Sequence, residues 1–316
     1  MPAAYLGRQS FIYIGEEGSW GSPASLTVYN RVTEIGLQRE QEREQKTHLS
    51  TSAAAFSEGS FDGMEIAGGS FGVPVLYDGT GLLLYAATGA TPVSAAAGAL
   101  FDHEYKPSSD LPSLTIDVQR GSGTSEKFLG CIVSTMNLSI AAGEEMIGSF
   151  EVIAKTANSR AASIAPPTFG SGDSVLHYQA GSLSYNSVTY NVRSIELNLD
   201  NKVERRDLLG SKTTAQPAIT DVREITLSVT ADYEDDNIYN AQLAGTISNV
   251  VIEFVNSTTN HIFEITLNDA QLISYNDNIN SVGRIERTFE FQGFADSSNT
   301  AFKIRVRNGS SSAVSN

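Results

Sequence analysis

The sequence predicts a mainly β protein made of two tandem copies of one domain, each with one short flanking α-helix. Three observations predict it. Apolar and polar residues alternate with period two along most of the chain, the signature of half-buried strands. Helical patterning is confined to two short segments. A series of landmarks then recurs, in the same order, in both halves. The length of 316 residues suits two domains of about 150 each, and the 27 glycines favour turns over long helices.

Taken in order, Val32-Thr33-Glu34-Ile35-Gly36-Leu37 opens the first copy as a strand and runs into the charged segment 38–46. Residues 38–59 read as a long polar loop. Residues 61–76 alternate and predict a long strand, followed by a helix over 78–89 with Asp78 capping its start and Gly89 its end. Residues 114–118 alternate again, and 148–151 form a late strand. Residues 157–173, with Ser, Ala, Gly, Pro166 and Pro167, have the composition of a linker, and 174–190 that of a hairpin. The second copy begins at Val192 and passes through a charged segment at 198–212. In 219–231, Ile225, Leu227 and Val229 face one way and Thr226, Ser228 and Thr230 the other. A helix over 235–243 is closed by Gly245, and strands follow at 250–255, 262–267 and 285–294.

The two copies align by their landmarks. Residues 32–37 mirror 192–197, the alternating run before each helix matches, and Tyr77 to Gly89 matches Tyr233 to Gly245 in length, with an acid second and glycine last. Gly148-Ser149-Phe150-Glu151 echoes Arg287-Thr288-Phe289-Glu290. A period this long indicates a duplicated domain rather than a solenoid. The expected organisation is an N-terminal arm (1–27), a first domain (28–156), linker and hairpin (157–187), a second domain (188–296) and a C-terminal tail (297–316).

Composition narrows the function. A net charge of −15, from 21 basic and 36 acidic residues, argues against gripping nucleic-acid phosphates. The single Cys131 excludes an intramolecular disulfide and multi-cysteine zinc sites, and four scattered histidines disfavour a histidine-rich metal centre. The start shows no secretory pattern, and no apolar stretch approaches a membrane span, so a cytoplasmic, soluble chain is expected. Gly68-Gly69-Ser70-Phe71-Gly72 matches the G-x-S-x-G elbow, but it sits inside a strand-like stretch. It reads as glycines where another backbone comes close, not as a hydrolase. The acids 232–236 lack calcium-loop spacing and suit a helix start. His103 and His261, each near an acid, read as ordinary histidines. No catalytic, cofactor or metal residue is assigned, and the chain reads as a non-enzyme.

The charged segments are the candidate contacts. A mixed-sign stretch is either a solvated surface or an intersubunit contact, and a loop of about 20 residues between two strands is often functional. Within it, Arg39, Glu40, Glu42, Arg43, Lys46, His48, Leu49 and Phe56 are candidates. Arg205, Arg206 and Leu208 are their counterparts in the second copy.

Taken together, the polar loop 38–59, the long strand, the helix opening Tyr77-Asp78-Gly79-Thr80-Gly81-Leu82-Leu83-Leu84, and then Phe101-Asp102-His103-Glu104-Tyr105 and Asp110-Leu111-Pro112-Ser113-Leu114-Thr115-Ile116 resemble phage major tail tube proteins of the long, non-contractile type. The second half repeats the pattern through Tyr233 to Gly245. That resemblance implies β-sandwich-like tube domains whose sheets join into one ring-spanning β-barrel. It also implies stacked rings that form a conduit for genome ejection, with two domains per chain giving a trimeric, pseudo-sixfold ring. Four strands per domain would give about 24 strands and a barrel backbone about 48 Å across. The implied partners are further copies of the chain, a tape measure protein, tail tip and terminator proteins, and passing DNA that is not held; no membrane is involved. The implied location is the virion tail, after assembly in the host cytoplasm. Competing readings are a single-ring tail component of the same fold, or a β-sandwich carbohydrate-binding module, for which the lone Trp20 offers little platform.

Overall fold

The computed structural model describes residues 6–45, 59–167, 175–279, 282–298 and 300–314. Its strands in the first half are β1 (Phe11–Glu16), β2 (Val28–Asn30), β3 (Glu34–Ile35), β4 (Gln38–Gln45), β5 (Ser60–Pro74), β6 (Val93–Ala97), β7 (Leu100–Tyr105), β8 (Leu114–Gln119), β9 (Ser125–Ala141), β10 (Ile147–Ala154) and β11 (Thr156–Ala157). The second half adds β12 (Gly181–Tyr185), β13 (Val188–Tyr190), β14 (Val192–Asp200), β15 (Val203–Arg206), β16 (Ala215–Ile219), β17 (Glu224–Asp232), β18 (Ile247–Asn256), β19 (His261–Asn276), β20 (Glu286–Gly293) and β21 (Phe302–Asn308). The helices are α1 (Gly81–Thr88) and α2 (Asn237–Ala244). The protein is mainly β, with antiparallel pairing throughout.

Strand pairing is duplicated. The first half runs β2–β1–β8–β9–β10–β5, with β3 and β4 both on the far side of β5. The second runs β13–β12–β18–β19–β20–β17–β14. Corresponding rungs match: Phe71 lies opposite Phe150 and Phe150 opposite Met136, while Val229 lies opposite Phe289 and Phe289 opposite Tyr275. β14 also pairs with the C-terminal half of β9, from Ser194 opposite Ala141 to Asp200 opposite Thr135. That join makes one ladder of both halves. Among the described residues no series of pairings returns on itself, so the sheet within one chain is open and not closed into a barrel.

Alternation built the ladder as expected. In β17 the apolar positions are buried and the hydroxyl positions half-exposed, and β14 does the same. One hydrophobic core spans both halves, with Phe71, Phe150, Leu138, Leu197, Val229 and Phe289 inside it. Other stretches depart from the sequence reading. β8 is buried on both faces because Thr115 donates to the buried Glu17, and Asp117 lies 3.7 Å from Lys127. The segment 1–27, expected as an arm, supplies β1, with Ile12 opposite Val118. The segment 297–316, expected as a tail, supplies β21, which pairs with both β19 and β7. It returns to the first half, where Arg307 grips Asp102 at 2.8 and 2.9 Å and the Tyr105 hydroxyl donates to the Ala313 carbonyl at 2.6 Å. The G-x-S-x-G stretch lies within β5. A Cβ on Gly68 (φ +138°) would stand 2.3 Å from the Val152 carbonyl oxygen, so backbone proximity explains the glycine.

The two helices end alike, on Gly89 and Gly245, both with positive φ. Their starts differ from expectation: Thr80, not Asp78, occupies the N-cap position of α1, and its hydroxyl donates back to the Leu76 carbonyl rather than capping the helix. α1 is almost wholly buried, but α2 buries only Ile238. The difference has a visible cause. At the end of α1 the Ala87 carbonyl accepts from Asn201 and Arg223, while Ala313 lies against Gly81 at the helix start and, with Val314, packs against the core. Counting back from the terminal glycines, the α2 positions matching Leu83 and Ala87 are Tyr239 and Leu243, which are 42% and 69% exposed.

Candidate assembly surfaces

Two projecting arms carry the charged candidates. Residues 38–45, expected in a loop, are strand β4, paired with β5 down to Gln45 opposite Ser60. A Gln-Arg-Glu-Gln-Glu-Arg-Glu-Gln strand has no apolar face, so it rests on ladder hydrogen bonds rather than burial and shows no periodicity. The second half has a shorter arm, β15 with β16.

The arms meet at Glu65. Its buried carboxylate accepts from Arg39 at 2.9 Å and from Thr156 at 2.5 Å; its backbone carbonyl accepts from Arg205 at 3.0 Å. The Glu65 amide donates to the Lys212 carbonyl at 2.7 Å, and the Lys212 ammonium lies 3.1 Å from Asp62. Arg39 and Arg205 are therefore brought together within one chain. Arg43 forms a loose exposed pair with Asp62 at 3.9 Å, worth little. Glu40 and Glu42 are exposed on β4. Arg206 is held through its amide by the Thr214 hydroxyl, and Leu208 is exposed at the turn of the second arm. Lys46, His48, Leu49 and Phe56 lie outside the described residues.

The second surface is the polar face of the joined ladder, which sequence reasoning did not single out. One cross-strand row reads Ser139, Glu196, Ser228, Glu290, Ser274 along β9, β14, β17, β20 and β19. A parallel row reads Ser70, Glu151, Thr135, Asp200, Glu224. Hydroxyls separate the carboxylates, because like charges directly opposite one another destabilise a sheet. The exception is Asp200 beside Glu224, where Lys202 bridges the two at 2.8 and 2.9 Å. Burial opposes ionisation of Asp200, yet bonds from Lys202 hold its carboxyl below the usual range, and the two carboxylates raise the lysine. Glu151, Glu196 and Glu290 form no salt bridge with a described residue; Glu196 accepts from Asn137 at 2.8 Å and Glu151 from Thr135. The period-two Ser, Thr and Glu positions were the signal, visible only once strand neighbours are known.

Elsewhere the titratable groups are structural. Asp235 receives the Asn237 amide at the start of α2 and a bond from the buried Arg287. Cys131 is buried, which pushes its thiol up. Among the described residues no group of three or more His, Cys, Asp or Glu is placed to hold a metal ion, and no helix is long and apolar enough to cross a membrane.

A sheet of this construction, polar and acidic on one face and open at both ends, suits a wall made by repetition. The family model described as phage tail tube protein matches residues 7–293. The chain belongs to that family. It is thus a structural component of a phage tail tube. No curated protein matches it. Among solved structures, Hcp1 from Flavobacterium johnsoniae is similar over 35% of this chain and 88% of its own, at 16% identity and a TM-score of 0.27, too slight a likeness to bear on the reading.

Proposed function

We propose that the chain is the major tube subunit of a long, non-contractile tail, organised as two tandem tube domains, and that three copies close each ring with pseudo-sixfold symmetry. The observation that carries this is the duplicated pairing order with an internal join. Each half contributes four strands to the joined ladder: β3/β4, β5, β10 and β9, then β14, β17, β20 and β19. Three chains then supply about 24 strands. At about 4.8 Å spacing and a tilt of about 40°, the barrel backbone is about 48 Å across, wide enough for duplex DNA after inward side chains are subtracted.

The acidic rows line the lumen in this arrangement. Carboxylates repel phosphates, so DNA passes without being held. Stacked rings form the conduit, with a tape measure protein inside and tip and terminator proteins at the ends, after assembly in the host cytoplasm. The two arms clamp neighbouring subunits or rings through the candidate residues of 38–59 and 203–208. Light-scattering chromatography at rising concentration tests the ring. Species of three chains of 33.8 kDa, about 101 kDa, support it, and rings of six chains remove the pseudo-symmetry. Deleting residues 40–57 should shorten or abolish tubes; unchanged length and yield would remove the clamp role.

A further inference from the structure

The internal join between the two halves is a template for the contact between chains, and it fixes a register. Corresponding rungs equate Thr135, Met136 and Asn137 of the first half with Ser274, Tyr275 and Asn276 of the second, and the same offset of 139 continued along the chain carries Ile140 to Ile279. They likewise equate Ile195, Asn198 and Asp200 of β14 with Ile35, Gln38 and Glu40. In the join, β14 occupies the side of β9 beyond the end of β8. The equivalent side of β19, beyond its last partner in β18 at Gln271, has no strand on it among the described residues. The outer side of β3 and β4 is similarly without a strand among the described residues. The chain therefore ends its ladder with two unlike edges that are the two halves of one contact.

Exposure supports the match. In the join, Ile140 and Ile195 sit opposite one another, 7% and 6% exposed. Their counterparts at the open edges are Ile279, 70% exposed, and Ile35, half-buried. The bare face of α2, beside β19, is where the join has covered α1.

Resting on the tube reading, we propose that residues 35–40 of one copy add antiparallel to residues 274–279 of the next. Gln38 then lies opposite Asn276, Glu40 opposite Ser274 and Ile35 opposite Ile279. The chemistry of the join is reproduced: a carboxamide faces a carboxamide, as Asn198 faces Asn137, and a carboxylate faces a hydroxyl, as Asp200 faces Thr135. In the join the Ala142 amide donates to the Arg193 carbonyl at 2.8 Å, so the Asn198 with Asn137 and Asp200 with Thr135 pairs fall at the alternate, non-hydrogen-bonded rungs. The Leu37 carbonyl, which accepts from Arg120 at 2.6 Å, turns to the Asp277 amide on docking. The contact is head-to-tail, so it continues until a ring closes.

Paired cysteines test the register. Gln38, Glu40, Ser274 and Asn276 are all exposed, and Cys131 is buried. In-register pairs are Gln38→Cys with Asn276→Cys and Glu40→Cys with Ser274→Cys; swapped pairs are Gln38→Cys with Ser274→Cys and Glu40→Cys with Asn276→Cys. Directly opposed non-bonded positions are about 4.5 Å apart at Cα, within disulfide range, and the diagonals are about 7–8 Å apart, outside it. After mild oxidation, non-reducing electrophoresis should show intermolecular bands ending at a three-chain species, at least tenfold stronger for both in-register pairs than for the swapped ones. Equal or stronger bands from swapped pairs, or none from any, overturn the register. Electron microscopy of the same samples separates the two claims. Tubes without in-register bands remove the contact and leave the tube; in-register bands without tubes keep the contact and remove the tube. Neither bands nor tubes removes both.

Discussion

The join between the halves predicts a specific energetic coupling. Leu197 on β14 and Leu138 on β9 face one another directly, both buried in the shared core. Replacing either with alanine removes a buried branched side chain and leaves a cavity that close-packed neighbours fill only in part, costing about 3 kcal/mol within a usual range of about 2–5. Because the two side chains touch across one rung, the double variant should cost about 0.5–1 kcal/mol less than the two singles together. The assay is urea unfolding of dissociated subunits at a fixed low protein concentration, since assembly would add its own stabilisation. Both single variants should move the same transition, because one core spans the halves. A loss below about 1 kcal/mol from either single variant, or strict additivity in the double, would refute the view that this rung unites the halves.

Other perturbations follow from particular contacts. A Cβ on Gly81 would stand 1.9 Å from the Ala313 carbonyl oxygen, so Gly81→Ala should expel the C-terminal segment from α1; faster proteolytic trimming there checks it, and unchanged trimming contradicts it. The Arg307 bonds, against the burial that opposes them, hold Asp102 below the usual carboxylate range. Its contribution is therefore full above the unfolded value of 3.8 and is lost as the pH falls through the depressed folded value. Asp102→Asn should cost about 1 kcal/mol at pH 7 and close that gap at strongly acid pH, read from urea midpoints; a pH-independent gap contradicts it. Changing Glu151, Glu196 and Glu290 to lysine shifts the net charge by two units at each, from −15 to −9. Variant tubes should then retain duplex DNA in low salt and release it between about 50 and 200 mM, in a sedimentation assay where wild-type tubes retain none. Retention by both, or by neither, would contradict the acidic-wall reasoning.

Much of this architecture was legible in the residues. Ile225, Leu227 and Val229 alternate with Thr226, Ser228 and Thr230 because β17 buries one face only. Phe150 and Phe289 were paired across the halves by sequence, and both prove fully buried at the same rung. Strand β4 was not legible, because burial leaves no period where both faces are wet. β1 and β21 were hidden for another reason: their partners, β8, β19 and β7, lie about 100, 40 and 200 residues away, and no local pattern records such pairing. Among the candidate contacts, Arg39 and Arg205 converge on Glu65 through the meeting of two arms, which neither segment announces alone. The acidic rows needed the register, since Glu151, Glu196 and Glu290 are far apart in the chain and become neighbours only across strands.

Electron microscopy of assembled protein in cross-section tests the ring most directly. The duplicated ladder predicts hollow rods whose rings hold three chains and about 24 inner strands, with a barrel backbone about 48 Å across. Rings of six chains, or single rings that never stack at any concentration, would contradict it.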